Sequence, residues 1–245
     1  HSAPAILYIR TDVTSEQAVA QAQAQIIERF GRSPSYVVSC AGVAPAGALL
    51  TSPVKMFTRA FDINAAANVV LAQAFLPAMI SNNHGHFMTV ASSASYFSLP
   101  NLCAYSMSKT AALAFLESLR AELRAVYKAC RVRTSVVTPT KVRTVLAEGL
   151  NEGDDDFLMP VLEPIQVARA MADTLNSGLS RNISLPLGSA LLPYLRALPE
   201  WYRGALRAMG NTDALVTPES ISRGQQALRG HQSNLDHMKK LGVHS

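Results

Sequence analysis

Short apolar runs, each too brief for a helix, alternate along this chain with longer stretches whose apolar residues recur at helical spacing. That alternation constrains the fold more than any other feature, because it is the signature of strand–helix–strand units joined into a parallel sheet. The strand segments are Ile6 to Arg10, Tyr36 to Ser39, His86 to Ala91, Val132 to Val137 and Ile183 to Leu187. Ahead of the second, Ala18, Ala22, Ile26 and Phe30 fall at helical spacing, with Thr14 or Ser15 as cap and Gly31 as stop. Another helix is expected to start at Thr51 or Ser52 with Pro53 as its first helical residue, to kink near Asn64 and to reach Ile80. Two more span about Ala104 to Tyr127 and Pro164 to Gly178. Glu148 to Asp156, acidic and without apolar period, reads as a mobile loop, and the tail from Thr217 is polar.

With 245 residues, 49% of them hydrophobic, the chain can bury one sizeable core and is short for two. The net charge of +5 comes without a basic run or an aromatic–basic alternation, which argues against a nucleic-acid partner and for anionic lipid or a phosphorylated cofactor. Cys40, Cys103 and Cys130 are widely spread and lack metal spacing, so they read as reduced thiols in a cytosol-facing compartment, with no metal site. No run of about 18 apolar residues occurs. Asn182-Ile183-Ser184 fits a glycosylation sequon, a triplet that chance often produces.

Chemistry concentrates in Tyr105-Ser106-Met107-Ser108-Lys109, at the start of a long helix. Residues four apart share a helical face, so an ammonium sits beside a phenol and favours its phenolate, lowering an ordinary pKa of about 10 towards neutrality. Thirteen residues upstream, Ser92 follows a strand, where its hydroxyl can bond a substrate oxygen; Ser93 is the alternative register.

In this company the sequence resembles the short-chain dehydrogenase/reductase family from Asp12 to about Leu187. Asp12-Val13 is similar to the aspartate ending the family's third strand, Ser39-Cys40-Ala41-Gly42 to its NNAG turn, and Asn64 to its helix asparagine. Pro139 to Thr144 resembles its PGxxxT segment, with Thr140 in place of the glycine; Ser39 and Cys40 stand where two asparagines are usual. The stretch from Phe75 through Lys109 looks most like the membrane-associated branch acting on retinol and hydroxysteroids. The resemblance implies a Rossmann-like, doubly wound parallel sheet and a reaction between nicotinamide cofactor, NAD or NADP, and a lipophilic alcohol or its ketone or aldehyde. It implies Tyr105 as acid/base, Lys109 on the phenolate and the nicotinamide ribose, Ser92 on the substrate oxygen, and Asn64 as anchor of a relay water. Asp12 and Val13 would meet the adenine, Ala41 and Gly42 would admit the adenosine, and Pro139, Val142 and Thr144 would lie along the carboxamide and pyrophosphate.

The family's glycine turn, which sets a helix N-terminus against the pyrophosphate, is not in this sequence. The first strand segment matches the family's third, so the expectation is a fold lacking its first two strands, roughly 60 residues at about 30 per strand–helix unit, and inactive as it stands. The alternative is a non-catalytic membrane-surface or scaffold remnant; a sugar-nucleotide epimerase shares YxxxK but fits the short, apolar chain after Pro139 less well. Residues 1–190 form the partial Rossmann domain and 191–245 an amphipathic segment and tail. In that segment Leu195, Leu198, Tyr202, Leu206 and Met209 make a stripe flanked by Arg196, Arg203 and Arg207, with Trp201 suited to an interface. It is expected to dock on an endoplasmic reticulum or lipid-droplet surface, to close the pocket, or to pack on a partner subunit in a homodimer.

Overall fold

A computed structural model describes residues 6–147, 160–209, 216, 217, 219, 221 and 222. Its centre is a four-stranded parallel sheet in the order β1-β2-β3-β4, formed by Tyr36–Ser39, Gly85–Val90, Val132–Pro139 and Asn182–Leu185. Each crossover carries a helix, as parallel neighbours require. The helices α1 (Glu16–Phe30), α2 (Val54–Phe61), α3 (Ala67–Ser81), α4 (Cys103–Ala125) and α5 (Pro164–Ser177) follow the expected segments closely.

Local signals explain the ends. Ser15 accepts from the Ala18 amide at 3.2 Å and starts α1, while Gly31 at φ 71° stops it. Gly178 at φ 64° ends α5 in the same way. Pro53, expected as the first helical residue, is the cap, and the helix begins one position later at Val54.

Strand parity divides the core in two. Val37, Phe87, Val132 and Val136 face α3 and α4 together with Val19 of α1. Met88, Val137 and Ile183 face Val167, Met171 and Leu175 of α5. On that second side β1 is left open, with Tyr36 and Val38 exposed.

Two expectations are corrected. Ile6 to Arg10 forms no strand. No neighbouring strand among the described residues receives its backbone groups, and Ile6 and Tyr8 stand 90% and 78% exposed, so neither ladder bonds nor burial hold it. The C-terminal stripe does not face outward as a unit. Through α6 (Leu192–Leu195) and α7 (Glu200–Met209), Leu195, Leu198 and Leu206 are half-buried, because α7 lies on the body with the Arg207 guanidinium 4.9 Å above the Phe97 ring. Tyr202 of the stripe is exposed, and with it Leu187, Leu191, Tyr194 and Trp201 outside the stripe. Glu148 to Asp156 lies outside the described residues. Asn182 of the sequon begins β4 and accepts from Arg120 at 3.0 Å.

From Val54 to Ser81 the helix is long and apolar enough to cross a membrane. Its packing argues for a core helix, since Phe75, Leu76 and Met79 are buried against the sheet and α4. The kink expected near Asn64 is a π-helical turn over Asp62–Ala66.

Candidate active site

At the C-terminal end of the sheet, three chain segments converge on Lys109. Its side chain is buried among them, at 4% exposure, and its ammonium donates to the Val90 carbonyl at the end of β2 at 2.8 Å. The Tyr105 ring centre lies 6.0 Å from that ammonium. From the β1 side comes Gly42, where an added Cβ would stand 3.1 Å from Asn64 Oδ1 and 3.3 Å from Lys109 Nζ. Glycine is favoured there by this close approach, which a larger residue would meet only by shifting Asn64 or Lys109, and not by backbone strain.

Asn64, also buried, clasps the same loop. Its Oδ1 accepts from the Val43 amide at 2.9 Å, and its Nδ2 donates to the Val43 carbonyl and to Ser108 Oγ, both at 2.8 Å. Ser108 in turn donates to the Tyr105 carbonyl at 2.8 Å. The π turn explains why Asn64 reaches so far: one extra residue re-aims its side chain and frees carbonyls from the helical ladder. Asn68 takes those up, donating to Asn64 O at 2.8 Å and Ala65 O at 3.2 Å, while its Oδ1 accepts from Thr89 at 3.3 Å. Sequence reasoning missed Asn68 and Ser108. Two asparagines four apart inside an otherwise apolar helix were the available signal for the first.

Ser92, buried, follows β2 and caps a short 3₁₀ turn by accepting from the Ala94 amide at 3.1 Å. Its hydroxyl also acts on Tyr105. Burial pushes the Tyr105 phenol above its usual pKa, and hydrogen bonding from Ser92 opposes that rise. The direction differs from the lowering expected of YxxxK, because the lysine is bound to Val90 and stands away from the phenol while desolvation acts in full. The same burial brings Lys109 down to about 8, with Cys40 nearby working the other way. Ser93, the alternative register, opens the turn and is half-buried.

The residues expected along the cofactor are more scattered. Ala41 is exposed beside Gly42. Asp12 is exposed and turned into a local loop, accepting from Thr14 N at 3.0 Å and Thr14 Oγ1 at 2.7 Å, which with Arg59 holds its carboxyl below the usual range. Val13 beside it is half-buried. Pro139 ends β3, Val142 bridges to Leu162, and exposed Thr144 donates to the Val142 carbonyl at 3.3 Å. Thr140, in the glycine's place, has its hydroxyl buried without a partner among the described residues, while its amide donates to Leu185 at 2.8 Å.

The parallel sheet with helices on both faces makes this a Rossmann-like α/β protein. The short chain dehydrogenase family model matches residues 1–155, and the chain belongs to that family. It is 40% identical over 130 residues to dehydrogenase RED3 of Cochliobolus heterostrophus, covering 53% of this chain and 66% of the relative. It is 34% identical over 209 residues to estradiol 17-beta-dehydrogenase 11 of Rattus norvegicus, covering 84% and 67%. With human epidermal retinol dehydrogenase 2 the identity is 33% over 153 residues, covering 62% and 48%. These relatives include the retinol and hydroxysteroid branch that the sequence resembles. The chain spans about half to two thirds of the length of the curated relatives it matches. Among solved structures, serine dehydrogenase from Escherichia coli superposes with a TM-score of 0.60 at 20% identity, covering 72% of this chain and 74% of that one, a likeness of fold.

Proposed function

We propose that this chain carries the catalytic residues of an NAD(P)-dependent oxidoreductase acting on the CH–OH group of a lipophilic alcohol, or on the matching ketone or aldehyde. The carrying observation is the buried Lys109 ammonium set between Gly42, Asn64 and the Tyr105 ring. A lysine is hidden at such a cost in hydration where its charge is used. In reduction, Tyr105 Oη gives its proton to the carbonyl oxygen, Ser92 Oγ donates a hydrogen bond to that oxygen, and Lys109 Nζ holds the phenolate left behind. The Ser92 oxygen accepts from the Ala94 amide, and its hydroxyl proton, which bears on Tyr105, turns to the substrate oxygen for this role. Asn64 keeps the Gly42–Val43 loop against α4, and the second lone pair of its carbonyl is suited to a relay water.

The residues present fit a dinucleotide. Gly42 and Ala41 leave room for backbone approach, Lys109 has donors beyond the one given to Val90, and the Thr140 hydroxyl lacks a partner among the described residues. Asp12, Val13, Pro139, Val142 and Thr144 would complete its contacts. A bound nicotinamide supplies or takes the hydride. The lipophilic substrate class is favoured by the estradiol and retinol relatives. Leu187, Leu191, Tyr194 and Trp201 offer a face for peripheral contact with a cytosol-facing endoplasmic reticulum or lipid-droplet surface.

Turnover of retinol and estradiol with each cofactor, compared between the native chain and Tyr105→Phe, tests the assignment. The phenylalanine variant is expected to lose at least about a hundredfold in kcat, the usual range for a general acid/base, with cofactor affinity retained. Equal turnover would refute it.

A further inference from the structure

The helix that carries Tyr105 begins without a cap of its own. Leu102 stands at the cap position at φ −116° and ψ 23° and gives no side-chain hydrogen bond to the first turn, so what fixes the start of α4 lies outside it. Asn101, the residue before, is that anchor. Its backbone is left-handed, at φ 60°, and its carbonyl accepts from the Gly47 amide at 2.8 Å, tying α4 to the loop that follows Gly42. Its Nδ2 donates at 2.8 Å to the carbonyl of Val216, 115 residues away in sequence and 2% exposed. A second contact joins the same partners, since the Arg207 guanidinium lies over Phe97. Arg207 is itself held by Glu200 at 3.2 Å. Between Phe97 and Ser92 the turn is pinned to α4, with Ser95 Oγ donating to Lys109 O at 2.9 Å and Thr110 Oγ1 to Ser95 O at 3.1 Å. Arg207 of α7 and Val216 therefore grip, at two points, the stretch that runs from Ser92 into Tyr105.

The geometry points to Asn101 as a positioning residue that makes the placement of Tyr105 depend on the seating of the C-terminal segment at Val216. This rests on Tyr105 being the acid/base. Proton transfer requires heavy atoms within about 2.6–3.2 Å, and α4 has no capping group to hold that register when the segment lifts. The segment thus serves as a clasp on the active helix.

Asn101→Gly isolates the side-chain donation, because glycine accepts the left-handed backbone and loses only the bond to Val216. Val216→Ala keeps the accepting main-chain carbonyl but removes the buried side chain that seats it, and so loosens the same contact from the other side. In the full chain, each variant is expected to lower kcat about three- to tenfold, the worth of about one hydrogen bond, with cofactor KM unchanged. The double variant should fall no further than the worse single one, since both act through one contact. Amide exchange at Leu102 to Ser106, read by mass spectrometry, should quicken in both. Wild-type kcat and exchange in Asn101→Gly, or losses that multiply in the double variant, would overturn the inference. Should the unaltered chain turn over no substrate, as the missing glycine turn would also produce, the kinetic arm reads the proposed function and not the clasp. The exchange measurement then still decides the clasp, which stands if both variants exchange faster and falls if neither does.

Discussion

Replacing Asn64 by alanine tests whether the π turn exists to aim one amide. The side chain makes three hydrogen bonds, two to Val43 and one to Ser108. Removing it leaves the Val43 amide and carbonyl without partners. A dry orphan costs about 1–3 kcal/mol each, but Val43 is half-exposed and water can reach it, so the lower end applies to both. Ser108 keeps its own donation to Tyr105 and loses less. The sum is about 2–4 kcal/mol, a sizeable share of the ~5–15 kcal/mol that holds a typical domain. Ser108→Ala breaks one of the three bonds and should cost about 1 kcal/mol. The two effects should fall short of additive because they share that bond. Urea unfolding gives all three values from midpoints at constant slope. A loss below about 1 kcal/mol for Asn64→Ala would show that the loop after β1 is held by something else, and the reasoning about the π turn would fail with it.

Three further outcomes follow from the same geometry. Lys109 is held down to about 8 by burial, so its ammonium, and with it the support for phenolate, is lost above that pH; reductive kcat/KM should decline beyond about pH 8, and a profile flat through about pH 9.5 would remove the lysine from the step. His86, buried beside Ser135, is brought down to about 4, first by desolvation and then by Arg133. The unfolded chain takes that proton first, so stability is full above about 6.5 and falls by at most about 1.4 kcal/mol per pH unit towards 4; His86→Gln should flatten this slope in urea titrations, and an unchanged slope would exonerate the histidine. Trp201→Asp with Leu191→Asp should weaken co-sedimentation with anionic vesicles, whereas Leu206→Asp, on the half-buried side, should act on stability instead; equal binding by all variants would argue against a lipid contact.

What was legible in the sequence was periodicity and punctuation. The α1 and α5 ends could be placed because Ser15, Gly31 and Gly178 act through bonds and dihedrals within a few residues. The strands β1 to β4 were legible because each is apolar in a short run and has a paired neighbour. Ile6 to Arg10 has the composition of a strand and none of the partners, and partners are a property of the sheet, which no local window contains. The C-terminal stripe misled in a similar way. Spacing says which residues share a face, but contacts with Phe97 and Asn101 decide which face turns inward.

The site itself was legible where the sequence broke its own pattern. Asn64 interrupts an apolar helix, as does Asn68, which went unread, while Lys109 is buried in α4 and Gly42 follows β1 where the chain turns towards both. Each choice lowers local consistency, and such exceptions in a natural chain mark function more often than error. Their coordination was not legible. Gly42 is small because Lys109 Nζ and Asn64 Oδ1 crowd its Cβ position, and Asn64 reaches Val43 only because Asp62 to Ala66 winds as a π turn. The phenol makes the consequence plain. From spacing alone, Lys109 should lower the Tyr105 pKa, yet the ammonium gives one of its donors to the Val90 carbonyl and burial raises the phenol's pKa. Lys109 keeps donors beyond the one given to Val90, so its effect on Tyr105 is the balance between an ammonium 6.0 Å from the ring centre and the desolvation of a buried phenol, a balance that spacing in the sequence does not contain.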